Sequence, residues 1–169
     1  DTEISDPAWA DQHWKTIAQN YRKAPHFVDY AERIQALYAQ AAEMTHLSAV
    51  NHLFLMAICD LLGINTRISW SMDYTVVEGK TERLVGLCQQ AGATHYLSGP
   101  AARDYLDEAL FAAADIAVEW MDYGGYPEYP QLYPPFEHGV SVLDVLFHTG
   151  ADAPRYLRRS NPDKGLDND

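Results

Sequence analysis

The sequence predicts an α/β protein: a helix-rich N-terminal third, a β-α-β-α-β unit with a small parallel sheet, then C-terminal helices. Three observations lead there. Apolar residues recur at helical spacing from residue 7 to residue 62. The period then changes to alternation over 65–72, where Ile68, Trp70 and Met72 face one way and Arg67, Ser69 and Ser71 the other. Beyond it, helical and strand-like runs take turns with short connections, an order that favours parallel pairing through right-handed crossovers.

Residues 7–23 read as the first helix. Pro7 suits a first turn after Asp6, and Trp9, Trp14, Ile17 and Tyr21 can share a face. Pro25 breaks the pattern. A second helix covers 26–43, with Phe27, Tyr30, Ile34, Leu37 and Tyr38 at helical spacing. The third, 47–62, is the most apolar, with Ser48 as its expected cap and Gly63 as its stop. After the strand at 65–72, a helix over 80–93 turns Leu84, Leu87 and Cys88 inward. Residues 94–99 form a short strand, 101–113 a helix and 115–121 a strand. Residues 140–150 form a helix closed by Gly150, and Pro154 sits in the first turn of a last short helix. Residues 1–159 are expected to make a single α/β domain and 160–169 a flexible tail. No internal repeat is visible.

Composition bounds the function. The chain has 169 residues and a formal net charge of −12. Such a chain repels phosphate backbones and anionic lipid surfaces, so neither nucleic acid nor membrane insertion is expected. No apolar run reaches the length of a membrane span, and DTEISDPAW carries no signal-peptide pattern. Cys59 and Cys88 lie in apolar helical patterns without metal-ligand spacing, which suits buried thiols and a cytoplasmic setting; spacing also allows a disulfide.

Residues 122–138, DYGGYPEYPQLYPPFEH, point to a site. Four tyrosines and one phenylalanine share that stretch with four prolines. Proline fixes φ and lacks an N–H, so the stretch is neither helix interior nor central strand. Its rings must either pack against the domain or meet a ligand. In an open parallel sheet, ligands gather at the carboxyl ends of strands. Here those ends are 69–73, 98–100 and 122–125. Ser98 and Gly99 lead into a helix N-terminus whose N–H groups can hold an anion, or they form an ordinary βα turn. Dinucleotide and P-loop motifs are absent. Lys80 and Arg83 lie one turn apart near a helix start, where the dipole disfavours cations; they meet an anion, or pair with Glu78 or Glu82. His138 follows the aromatic stretch, and Asp144 and His148 share a helix face at a spacing of four. An Asp–His pair can do acid–base work, or His148 is a helix-end histidine with a local partner. No third metal ligand is evident, so no metal is assigned. Tyr126, Tyr129 and Trp70 can stack on a sugar ring or base, and Gln131 can read an amide or hydroxyl. No nucleophile elbow or activated thiol supports covalent catalysis, and no cofactor is identified.

Four segments carry a resemblance: HWKTIAQNYRKAPHF (13–27), LGI (62–64), KTERLVGLCQQAGATHYLSGPAARDYLDE (80–108) and YPQLYPPFEHGVSVLDVLFHTG (129–150). With them the chain resembles the WbqC-like family of bacteria, over nearly its whole length up to about Gly150. Members open on a strand and a His-Gln-Pro…Leu-Pro-Trp segment that this sequence lacks. The expectation is a C-terminal portion of such a protein, or a shortened member, completed by a separate N-terminal chain or segment and short of one strand. The resemblance implies a role in surface polysaccharide (O-antigen, lipopolysaccharide) or related small-molecule biosynthesis. Pathway context then suggests a transferase moving an acyl or aminoacyl group to an amino sugar. Lys80 and Arg83 would bind the phosphates of a nucleotide sugar or acyl donor, and Ser98 and Gly99 would offer N–H groups to the anion. Tyr126, Tyr129 and Gln131 would hold the sugar, and His138 or Asp144 would handle the proton. Two readings stand beside it: a non-catalytic sugar- or protein-binding module, and a structural domain that self-associates through an open sheet edge.

Overall fold

The computed structural model describes residues 2–158; the tail expected over 160–169 lies outside them. The class is α/β, helix-rich, with a two-stranded parallel sheet and C-terminal helices. The chain divides into two compact units, one of residues 66–124 and one of the segments on either side of it.

The flanking unit holds helices α1 (Trp9–Tyr21), α2 (Phe27–Ala42), α3 (Leu47–Leu61), α6 (Val142–Thr149) and α7 (Ala153–Tyr156). Each of the three N-terminal helices forms where its periodicity places it. Helix α3 begins at Leu47 behind His46, so Ser48 sits inside the first turn and does not cap. Before it, the N-terminal segment pairs with the α2–α3 connection, Ile4 N–H donating to Thr45 C=O at 2.8 Å. Helices α1 and α2 turn about Pro25, where His26 N–H donates to Phe147 C=O at 2.9 Å. That bond ties the turn to α6. Phe147 and Ile34 are fully buried, packed with Trp14, Ile17, Tyr21 and Phe27. A second apolar cluster joins Val145, Leu146, Ala153 and Tyr129 to Ile58 and Leu61. Burying a Phe- or Leu-sized side chain is worth about 1.5–3 kcal/mol, so α6 is the hub of this unit.

The inner unit holds α4 (Thr81–Gln90), β1 (His95–Ser98), α5 (Glu108–Ala113) and β2 (Ala117–Trp120). The strands pair in parallel, His95 opposite Ala117 and Ser98 opposite Trp120. One face of the sheet, with Tyr96, Val118 and Trp120, packs on Phe111, Val85, Leu106 and Ile116. The other face, with His95, Leu97, Ala117 and Glu119, is exposed.

Two expected elements differ. Residues 65–72 form no strand. Their backbone is captured locally instead: Asp73 accepts from Trp70 N–H at 2.9 Å, and Asp73 N–H donates to Trp70 C=O at 3.0 Å, closing a 3-10 turn over Ser71–Asp73. Alternation predicts a strand only where a neighbouring edge and an apolar surface receive it, and Met72 is 77% exposed. The β-α-β-α-β pattern therefore carries two strands. The helix expected over 101–113 is split into a 3-10 turn, Pro100–Asp104, and α5, because Asp107 accepts from Ala109 N–H at 3.0 Å and starts a new helix. On α4, Gly86 has Val77 against it so closely that a Cβ would lie 2.8 Å from a Val77 methyl. The Gln90 amide then clamps Thr75 by both its N–H and its C=O.

Candidate binding cleft

Helix α6 builds the site. Ser141 caps it, its hydroxyl accepting from Leu143 N–H, and the helical spacing puts Asp144 and His148 on one buried face. Their side chains are 7% and 2% exposed. His148 Nδ1 lies 2.7 Å from the Asp144 main-chain oxygen, and its Nε2 accepts Leu132 N–H at 3.1 Å. A nitrogen that accepts an N–H carries no proton, so the proton sits on Nδ1 and the ring is neutral. His148 is thus the helix-end histidine with a local partner. It has a second role that no sequence pattern signals: it holds the backbone of the proline-rich segment.

That segment lies against α6. Tyr129 donates to Asp144 Oδ1 at 2.7 Å, and Gln131 Nε2 donates to the same oxygen at 3.0 Å. Gln131 also clasps Glu137 at both main-chain groups, at 3.0 and 2.9 Å. Tyr21, arriving from α1, lines the cleft beside the same carboxylate. Burial, reinforced by this anionic neighbour, pushes the Tyr21 phenol up to about 12 and raises the Tyr129 phenol further. Both phenols therefore stay neutral donors.

Around this cluster opens a cleft of about 250 Å³, lined by Asn20, Tyr21, Gln131, Leu132, Tyr133, Glu137, Val140, Asp144 and His148. Ligand pockets run to roughly 300–1,000 Å³, so the space suits one sugar ring or acyl group rather than a whole nucleotide sugar.

The expected site residues divide between the units. Gln131 and Asp144 line the cleft and Tyr129 braces it from beneath. Tyr126 is half-buried in the same unit. His138 is exposed, edge-on to Phe136 with ring centres 4.7 Å apart, and is not a lining residue. The other four residues lie in the inner unit. Lys80 and Arg83 are exposed at the start of α4, and neither forms an ion pair among the described residues. Ser98 ends β1 beside β2, its C=O accepting Met121 N–H at 2.8 Å. Gly99 leads into a 3-10 turn that begins with Pro100, which has no N–H to offer an anion. Tyr123 lies over it, its hydroxyl 3.4 Å from where a Gly99 Cβ would stand.

Asn20, Tyr21 and Glu137 are cleft residues the sequence reading passed over. Tyr21 reads as one more apolar ring on the core face of α1, and only tertiary contact reveals its hydroxyl's partner. Cys59 and Cys88 are free thiols, and burial raises the latter. Among the described residues no three His, Cys, Asp or Glu side chains cluster to hold a metal, and no helix is long and apolar enough to cross a membrane.

Comparison with known proteins adds the following. The model of the WbqC-like protein family matches residues 1–156. A protein of Mycobacterium tuberculosis (strain ATCC 25618 / H37Rv), named Uncharacterized protein Rv1507c, is 49% identical over 158 residues, which cover 94% of this chain and 68% of that protein. No solved structure matches.

Proposed function

The chain belongs to the WbqC-like protein family, and on that premise we propose that it serves the biosynthesis of a surface polysaccharide, such as an O-antigen, or a related small molecule. The reaction is transfer of an acyl or aminoacyl group to an amino sugar, and the α6 cleft receives the sugar. One observation carries this reading: a sugar-sized cleft walled by phenol, amide and carboxylate groups around the buried Asp144. Hydroxyl-rich ligands are held by such mixed donors and acceptors beside aromatic faces. Lys80 and Arg83 on α4, with Ser98 and Gly99, are the proposed contacts of the donor's phosphates. His138 or Asp144 takes the amine proton.

The test is a titration of the full chain with amino sugars and nucleotide sugars, followed by mass spectrometry for acylated product in the presence of an acyl thioester. Binding and product are expected, with product lost in Asp144→Asn or His138→Ala. Lys80→Ala with Arg83→Ala is expected to weaken nucleotide-sugar binding. If none of these changes alters binding or rate, the site lies elsewhere.

A second reading, a sugar-binding module without turnover, is favoured by one feature. Asp144 Oδ1 already accepts from Tyr129 and Gln131, which suits a fixed binding carboxylate better than a mobile base. Binding without product under every donor tried would establish it.

A further inference from the structure

The charge of the cleft is unbalanced. Two of its lining side chains are carboxylates, Asp144 and Glu137, and none of its described lining residues is Lys or Arg. His148 Nδ1 lies 2.7 Å from the Asp144 main-chain oxygen and 3.3 Å from its Oδ1, but Leu132 N–H occupies Nε2, so the ring contacts the carboxylate as a neutral group. Tyr129 and Gln131 solvate Asp144 as neutral donors and bring no positive charge to it. A buried charge without a counter-ion is costly, and a cationic ligand relieves that cost where water is partly excluded.

We infer that the cleft discriminates its ligand by charge, holding a protonated amine and releasing the neutral amide made from it. The inference rests on the amino-sugar reading above and adds a direction to it. On acylation the nitrogen bonds the acyl carbon, and that carbon's bond to its carrier breaks with the electron pair going to the carrier. The ammonium nitrogen gives up two protons, one to the carrier and one by way of His138 or Asp144 to solvent. The product nitrogen is neutral, so its attraction to Asp144 and Glu137 disappears at the moment the product forms. Binding energy that is present for the acceptor and absent for the product favours turnover over product retention.

Calorimetric titration of the full chain near neutral pH tests this with three probes: 2-amino-2-deoxyglucose, its N-acetyl derivative and glucose. The amine is expected to bind about tenfold tighter than either neutral sugar, the gap a 1.4 kcal/mol ionic contact provides. Glu137→Gln, an exposed change that keeps an oxygen for Gly139 N–H, is expected to shrink that preference about threefold, and added salt to shrink it as well. Equal binding of amine and amide overturns the inference and leaves the sugar cleft standing. A preference unmoved by both Glu137→Gln and salt also overturns it. Binding of none of the three removes the inference and the sugar reading together.

Discussion

Asp144 is the residue on which the cleft turns. Its helix supplies the position, the proline-rich segment supplies Tyr129 and Gln131, and α1 supplies Tyr21. Removing one hydroxyl tests the arrangement. Tyr129→Phe leaves the ring packed on Phe136 and Tyr156 but deletes the donor, and a hydrogen bond to a charged group is worth about 1.5–3 kcal/mol. Urea denaturation is expected to show a loss near the lower end of that range, with the m-value unchanged. The pH dependence has a fixed sign. Tyr21 ionises at about 12 in the folded chain, against 10.0 for an unperturbed tyrosine. The unfolded chain therefore loses its phenolic proton first as pH rises. The stabilisation is full below pH 10 and is lost as pH climbs toward about 12. Denaturation midpoints read alongside phenolate absorbance will follow it, and Tyr21→Phe will flatten the alkaline fall. The Asp144–His148 pair was legible because a spacing of four is a statement about one helix. Tyr21 was not, because its partner is set by how α1 packs on α6.

At the scale of elements, two ends of α6 set the cleft wall. Ser141→Ala removes the cap and is expected to cost about 1 kcal/mol in thermal or urea melts. Gly150 at the other end has φ +60°, and a Cβ there would lie 2.7 Å from His26 Nδ1. Gly150→Ala combines an unfavourable backbone with a collision, so a loss of about 1–3 kcal/mol is expected, larger than for the cap. Gly150 was readable as a stop; that it also makes room for His26 was not. The helices α1, α2 and α3 and both strands form where their sequence patterns place them. Residues 65–72 alternate equally well and form no strand, because Asp73 closes their backbone locally. Asp107 likewise reads as one acidic residue in a helical run, and its capping role emerges only with Ala109 N–H in reach.

At the scale of the whole molecule, each unit has a core of its own, centred on Phe147 in one and Phe111 in the other. Truncating a fully buried phenylalanine costs about 3–5 kcal/mol. Hydrogen exchange is expected to localise that loss: Phe111→Ala will first deprotect amides within 66–124, and Phe147→Ala those of α1, α2 and α6. Fold class was legible from the order of the elements. The grouping of residues into units was not, because it depends on which apolar faces meet rather than on where they fall in the chain. The same limit governs the site, since the aromatic stretch advertises its composition while its partners come from other segments.

The wall that carries Tyr129 and Gln131 is held in shape by the protein's own contacts. Its prolines restrict the backbone, His148 takes the Leu132 N–H, and Gln131 clasps Glu137 at both main-chain groups. A surface so prepared loses little freedom when it is occupied, so more of each contact survives as affinity. Small ligands should then diffuse into crystals already grown, without cracking them.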